Sequence, residues 1–102
     1  MPGTLQIATF KELQADVFSR VVPIPKYPAL DEITIAALTS SSQQSAAVHG
    51  EARFAWIKAV GGQAHFTVGA NPTASTSAMH LADGDWAFIG VAGGDKIAAR
   101  NP

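Results

Sequence analysis

Arg53-Phe54-Ala55-Trp56-Ile57-Lys58-Ala59-Val60-Gly61-Gly62-Gln63-Ala64-His65-Phe66-Thr67-Val68-Gly69 decides how the chain is read. Its second half alternates cleanly. Ala64, Phe66 and Val68 fall on one side and His65 and Thr67 on the other, which is the period of a half-buried strand. Its first half is apolar on both sides, which suits a central strand, or one with the core on one face and a partner on the other. Gly61-Gly62 between them accepts the positive φ of a tight turn. The pattern repeats downstream, so strands are expected over 52–60, 63–69, 77–81, 85–91 and 95–99. Ala70-Asn71-Pro72-Thr73, Ala82-Asp83-Gly84 and Ala92-Gly93-Gly94 break them, and Asp83-Gly84 is a strong hairpin signal. Trp86-Ala87-Phe88-Ile89 is again apolar on both faces.

Upstream, Ile33-Thr34-Ile35-Ala36-Ala37-Leu38 reads as the first core strand, with Ile33, Ile35 and Ala37 on one face. Thr39–Ser45 is polar and of low complexity, either an exposed loop or an edge strand, and Ala46-Ala47-Val48 suits a short return strand. Short strands with turns at this spacing indicate an all-β fold. The expectation is a small antiparallel, jelly-roll-like β-sandwich over residues 31–100, preceded by an N-terminal arm over 1–30. The arm has two readings. Thr9-Phe10-Lys11-Glu12 fits a capping box, followed by Leu13 and Val17 at helical spacing. Leu5-Gln6-Ile7 and Val21-Val22 are β-prone and favour an extended arm. Val21-Val22-Pro23-Ile24-Pro25-Lys26-Tyr27-Pro28 is too proline-rich for helix or central strand. Ile24 and Tyr27 make it a stiff segment laid either over its own domain or over a neighbour.

The composition excludes several classes of function. The 102 residues, 47% apolar, suit one domain of modest core. Only 15% are charged and the net charge is −1. The basic residues are scattered, so no stripe exists to neutralise phosphates and no nucleic-acid partner is expected. Cysteine is absent, and with it any disulfide framework or thiol nucleophile. No secretion signal or membrane span is recognisable, so assembly in the cytoplasm, with no membrane partner, is expected.

Catalytic and metal chemistry are sparse. The three histidines form no His-x-His or His-Glu-x-x-His pair, although His65 and His80 stand on presumed strands that could bring them face to face. Asp83, Asp85 and Asp95 read as turn formers, since the rest of a calcium-loop spacing is missing. No serine occupies Gly-x-Ser-x-Gly, and the glycine pairs match no phosphate-binding loop. Neither an enzyme nor a cofactor is expected. Trp56, Trp86 and Tyr27 suit core packing or, in a carbohydrate-binding module, a platform for sugars.

The segments Arg53–Ala59, "GGQAHFTVGANPTAS", "MHLADGDWAFIGV" and "GDKIA" resemble small structural proteins encoded in the head-gene clusters of tailed phages and of gene transfer agents of α-proteobacteria. The similarity covers about the last half of the chain. Gly93 stands where the family often has proline, and the chain ends on Ala99-Arg100-Asn101-Pro102. Among such proteins the resemblance is nearest to head spike base proteins. It implies a virion structural or head decoration role, binding the major capsid protein and carrying a receptor-binding spike fibre. It also implies a homo-oligomer, trimer or pentamer, assembled in the bacterial cytoplasm and located in the particle. Neck or tail components are near relatives of this reading. Expected interface residues are Phe10, Leu13, Val17, Ile24 and Tyr27 in the arm, with Trp56 and Trp86 in the sandwich. Phe54 and Phe88 are expected to divide with the tryptophans between core and interface.

Overall fold

The computed structural model describes residues 3–15, 21–25 and 29–102, and their side chains outside 13–15 and 21–25. The described residues contain strands and no helix. In chain order these are β1 (Thr4–Phe10), β2 (Leu13–Ala15), β3 (Val21–Pro25), β4 (Asp31–Ile35), β5 (Gln43–Gln44), β6 (Phe54–Val60), β7 (Ala64–Gly69), β8 (Met79–Leu81), β9 (Trp86–Gly90) and β10 (Lys96–Arg100). Two four-stranded antiparallel sheets form the body: sheet 1 in the order β4-β1-β6-β9 and sheet 2 in the order β5-β10-β7-β8. β2 and β3 make a separate two-stranded ribbon. The chain is an all-β sandwich, and from β4 onward it winds from sheet to sheet in the manner of a jelly roll.

Residues 4–10, expected in an arm, instead lie inside sheet 1. β1 pairs with β4 along Leu5↔Ile35 to Thr9↔Asp31 and with β6 along Thr4↔Val60 to Phe10↔Phe54. The alternation of Leu5, Ile7 and Thr9 supplies the inward row. The Thr9 and Phe10 positions that suggested a helix start are the last two residues of this strand. Thr9 is fully buried, and its hydroxyl donates to Asp31 Oδ2 at 3.0 Å. Of the two readings of this segment, the helix is not formed where the chain is described, since Leu13–Ala15 is strand. Val17 and Tyr27 lie outside the described residues.

The core lies between the sheets. Sheet 1 contributes Leu5, Ile7, Ile35, Ala55, Ile57 and Ala59, and sheet 2 contributes Ala64, Phe66, Leu81, Ile97 and Ala99. Large and small residues alternate across the ladders, as in Leu5 opposite Ala59 and Ile57 opposite Ala87. That is how side chains in a thin sandwich interdigitate without voids. β4 stops at Ile35, short of the expected Leu38, because Ala37 turns into the left-handed region (φ 53°). Leu38 then leaves the strand, donates to the carbonyl of Gly3 at 2.9 Å and is buried. Ala46–Val48 forms no strand, and Gln43–Gln44, within the stretch read as exposed loop or edge strand, is the edge of sheet 2 beside β10.

Turn chemistry follows the aspartates. Asp83 Oδ1 accepts from Gly61 N at 2.9 Å and so joins the β6–β7 and β8–β9 turns. Asp95 Oδ2 accepts from Ala92 N at 3.0 Å. Gly93 is required for closeness of approach, since a Cβ there would lie 2.0 Å from the carbonyl oxygen of Gly50.

Candidate interaction face

Parity along β6 and β9 settles where the aromatic rings go. Ala55, Ile57 and Ala59 point into the core, so Phe54, Trp56 and Lys58 point away from it. Their cross-strand partners Gly90, Phe88 and Trp86 share that outer side. Right-handed twist then brings diagonal neighbours together. Phe54 and Phe88 stack with centroids 5.6 Å apart and planes 25° apart, and Trp56 and Trp86 meet at 5.4 Å and 59°. Both are favourable offset or tilted geometries, each contributing roughly 0.5–1.5 kcal/mol beyond area burial.

Exposure is graded across this face. Trp86 is 59% exposed, Trp56, Phe54 and Phe88 are half-buried, and Phe10, opposite Phe54, is fully buried. Of the expected interface residues, the structure thus brings Trp56 and Trp86 together at the surface. Phe10 is corrected to a buried residue. Leu13 and Ile24 lie in the β2–β3 ribbon, where only the backbone is described. Phe54 and Phe88 belong on the outer side with the indoles.

Beside Trp56 the outer side of sheet 1 dips. The row Glu32–Ala8–Trp56 has a methyl group at its centre, and the next row is Thr34–Gln6–Lys58. These side chains, over the backbone of Ile7 and Ile33, bound a shallow groove of about 490 Å³. Gln6, Glu32, Thr34 and Lys58 make no side-chain hydrogen bond or ion pair to a described residue. Periodicity alone could not show this groove, because β1, which supplies its floor, comes from the region read as an arm.

Sheet 2 is different on its outer side. His65 and His80 are cross-strand partners with rings 5.0 Å apart, as their strand positions allowed. His65, read as pointing out, is nearly buried, and its Nδ1 lies 3.0 Å from the carbonyl oxygen of Ala78. That carbonyl only accepts, so Nδ1 carries a proton. His80 Nε2 lies 2.9 Å from Gln63 Oε1. No group of three or more potential metal ligands occurs among the described residues. The loop 70–76 is fastened to the edge strand: Gln44 Nε2 donates to Asn71 Oδ1 at 2.9 Å and to the Pro72 carbonyl at 2.8 Å. Ser42 Oγ accepts from Ala74 N at 2.9 Å. Pro72 and Ala74 are buried, and so is Ala98, which faces the same side as Gln44.

What this arrangement can do is bind. A stacked aromatic platform beside unbonded polar groups can bury apolar area and accept directional hydrogen bonds. Comparison with family models, with curated proteins and with solved structures finds no match to this chain.

Proposed function

We propose that the chain is a structural assembly protein of the virion class that its sequence resembles. Through the outer side of sheet 1 it joins the major capsid protein to a spike fibre. The observation that supports this reading is the aromatic platform of Phe54, Trp56, Trp86 and Phe88. A 102-residue sandwich spends four of its large rings outside its own core. Tryptophan is among the residues most enriched at the energetic centres of protein interfaces. Affinity then comes from buried apolar area and shape complementarity, with the β2–β3 ribbon as a second contact element.

The test uses the purified chain with capsid and fibre proteins, followed by light scattering. A ternary complex that Trp86→Ala weakens by tenfold or more supports the reading, the size expected for loss of about 1.4 kcal/mol or more at a contact anchor. Particles assembled without the chain are then expected to lack spikes by electron microscopy. Missing tails in place of missing spikes would move the protein to the neck or tail.

The groove between Trp56, Glu32 and Lys58 favours a second reading, a carbohydrate-binding module. An indole face beside free amide, hydroxyl and charged groups suits a sugar ring, apolar on one face and polar at its rim. Binding on a glycan array that Trp56→Ala abolishes, with no affinity for capsid or fibre, would replace the first reading with this one.

A further inference from the structure

Four strands border the two sheets: β4 and β9 on sheet 1, β5 and β8 on sheet 2. β4 carries Asp31 and Glu32, β5 has two residues and β8 has three. Edges that are charged or very short resist the addition of another strand. β9 has neither protection. It runs five residues, Trp86-Ala87-Phe88-Ile89-Gly90, without a charge or a proline.

The backbone of β9 is also open on one side. Ala59 N donates to the Asp85 carbonyl and Val91 N donates to the Arg53 carbonyl, at the two ends of the β6–β9 ladder. Bonded residues alternate along an antiparallel strand. Odd-numbered residues of β9 therefore bond to β6, while the N–H and C=O groups of Trp86, Phe88 and Gly90 point away from the sheet.

We propose that β9 pairs antiparallel with β9 of a second copy, about a two-fold axis at Phe88. This register places Phe88 opposite Phe88 of the second copy and Trp86 opposite Gly90 of the second copy. Every pair so formed uses the free backbone groups, and each exchanges both of its hydrogen bonds. The exposed indole then covers a glycine, a pairing that shields the bare backbone of an edge glycine. Charge agrees with the register. Asp83 and Asp85, which outnumber the one cation beside them, Lys58 opposite Trp86, stand at one end of β9 and Arg53, bonded to Val91, at the other, all four exposed. Antiparallel pairing sets the acidic end of each copy beside the basic end of the other. Centring the axis on Trp86 would instead oppose the two indoles and crowd the acidic turns.

The product is a continuous sheet through both copies, its outer side carrying a doubled aromatic platform and its inner side continuing through Ala87 and Ile89. A ring built from this edge would need a different, receptive edge on the neighbour, and the other three are short or charged. The inference extends the proposed assembly role but is tested on the chain alone, so its failure leaves capsid and fibre binding standing.

Sedimentation velocity of the full chain over a dilution series reads the outcome. A dimer is expected, with Phe88→Lys and Phe88→Glu each weakening association about tenfold or more, because like charges then face each other across the axis. An equimolar mixture of the two variants restores the dimer. Gly90→Val removes the space under the opposing indole. Its Cβ meets only the Arg53 carbonyl at 3.9 Å, so it weakens the dimer with the fold retained by circular dichroism. Should the charged variants misfold, Gly90→Val decides alone. A wild-type chain that stays monomeric, a dimer indifferent to Gly90→Val, or folded charge variants that do not recombine would each overturn the proposal.

Discussion

Sheet 2 carries on its outer side a loop of its own chain, fastened by Gln44 and Ser42 to the edge strand, with Ala98 sealed beneath it. Sheet 1 carries on its outer side two stacked pairs of aromatic rings that end in a largely exposed tryptophan. Both sheets are built from the same alternation, and both inner sides feed one core. The difference lies in what the outward positions hold. Gln44, Thr67 and Ala98 are small or can hydrogen-bond, so a short polar loop satisfies them. Phe54, Trp56, Trp86 and Phe88 bury well only against another apolar surface. An outer side finished intramolecularly contributes to stability, whereas one left aromatic keeps apolar rings partly open to water.

Three substitutions break or sharpen this contrast. Ile57→Ala, on the inner side of β6 and fully buried, is expected to cost about 2–4 kcal/mol in chemical denaturation, the usual cost of a cavity in a packed core. Gln44→Ala releases the loop from sheet 2 and removes both amide hydrogen bonds, for an expected loss of about 1–2 kcal/mol. It is also expected to raise amide exchange over residues 71–74. Trp86→Ala, one strand away from Ile57 but on the outer side, is expected to cost about 0.5–1.5 kcal/mol of stability, the size of its pairing with Trp56. A loss at Trp86 as large as that at Ile57 would show the indole acting as core, and the contrast between the two outer sides would fail.

Much of the sandwich was legible because its signals are local. Gly61-Gly62 and Asp83-Gly84 mark turns, Ala64, Phe66 and Val68 keep strict alternation, and the strands carrying His65 and His80 lie close in sequence. The hairpin read at Asp83-Gly84 is not formed, because its turn carries the chain from β8 in sheet 2 to β9 in sheet 1. Trp56 and Trp86 also stood out, as large rings on strands apolar on both sides. The place of β1 was not legible in the same way. Leu5 and Ile7 alternate, but the residues that complete them, Ile35 and Ile57, are distant in sequence, and Thr9 with Glu12 offered a local helical alternative. Without β1 inside the sheet, the floor of the groove at Ala8 was invisible. Phe10 was misread for the same reason, since a residue assigned to an arm reads as available while one at the end of a central strand is not. Gly93 shows a further kind of limit. Its closeness to Gly50 is set by two loops meeting in space, and neither glycine announces the other.

The position of β1 also sets a schedule for biosynthesis. This strand leaves the ribosome before β4 and β6, yet it needs one of them on each edge before it is enclosed. A lone two-stranded ribbon of β1 and β4 is marginal in water. At about 5–20 residues per second of translation, nascent β1 spends seconds with its apolar row uncovered before β6 has been made. Sheet 1 therefore closes late, around a strand made early.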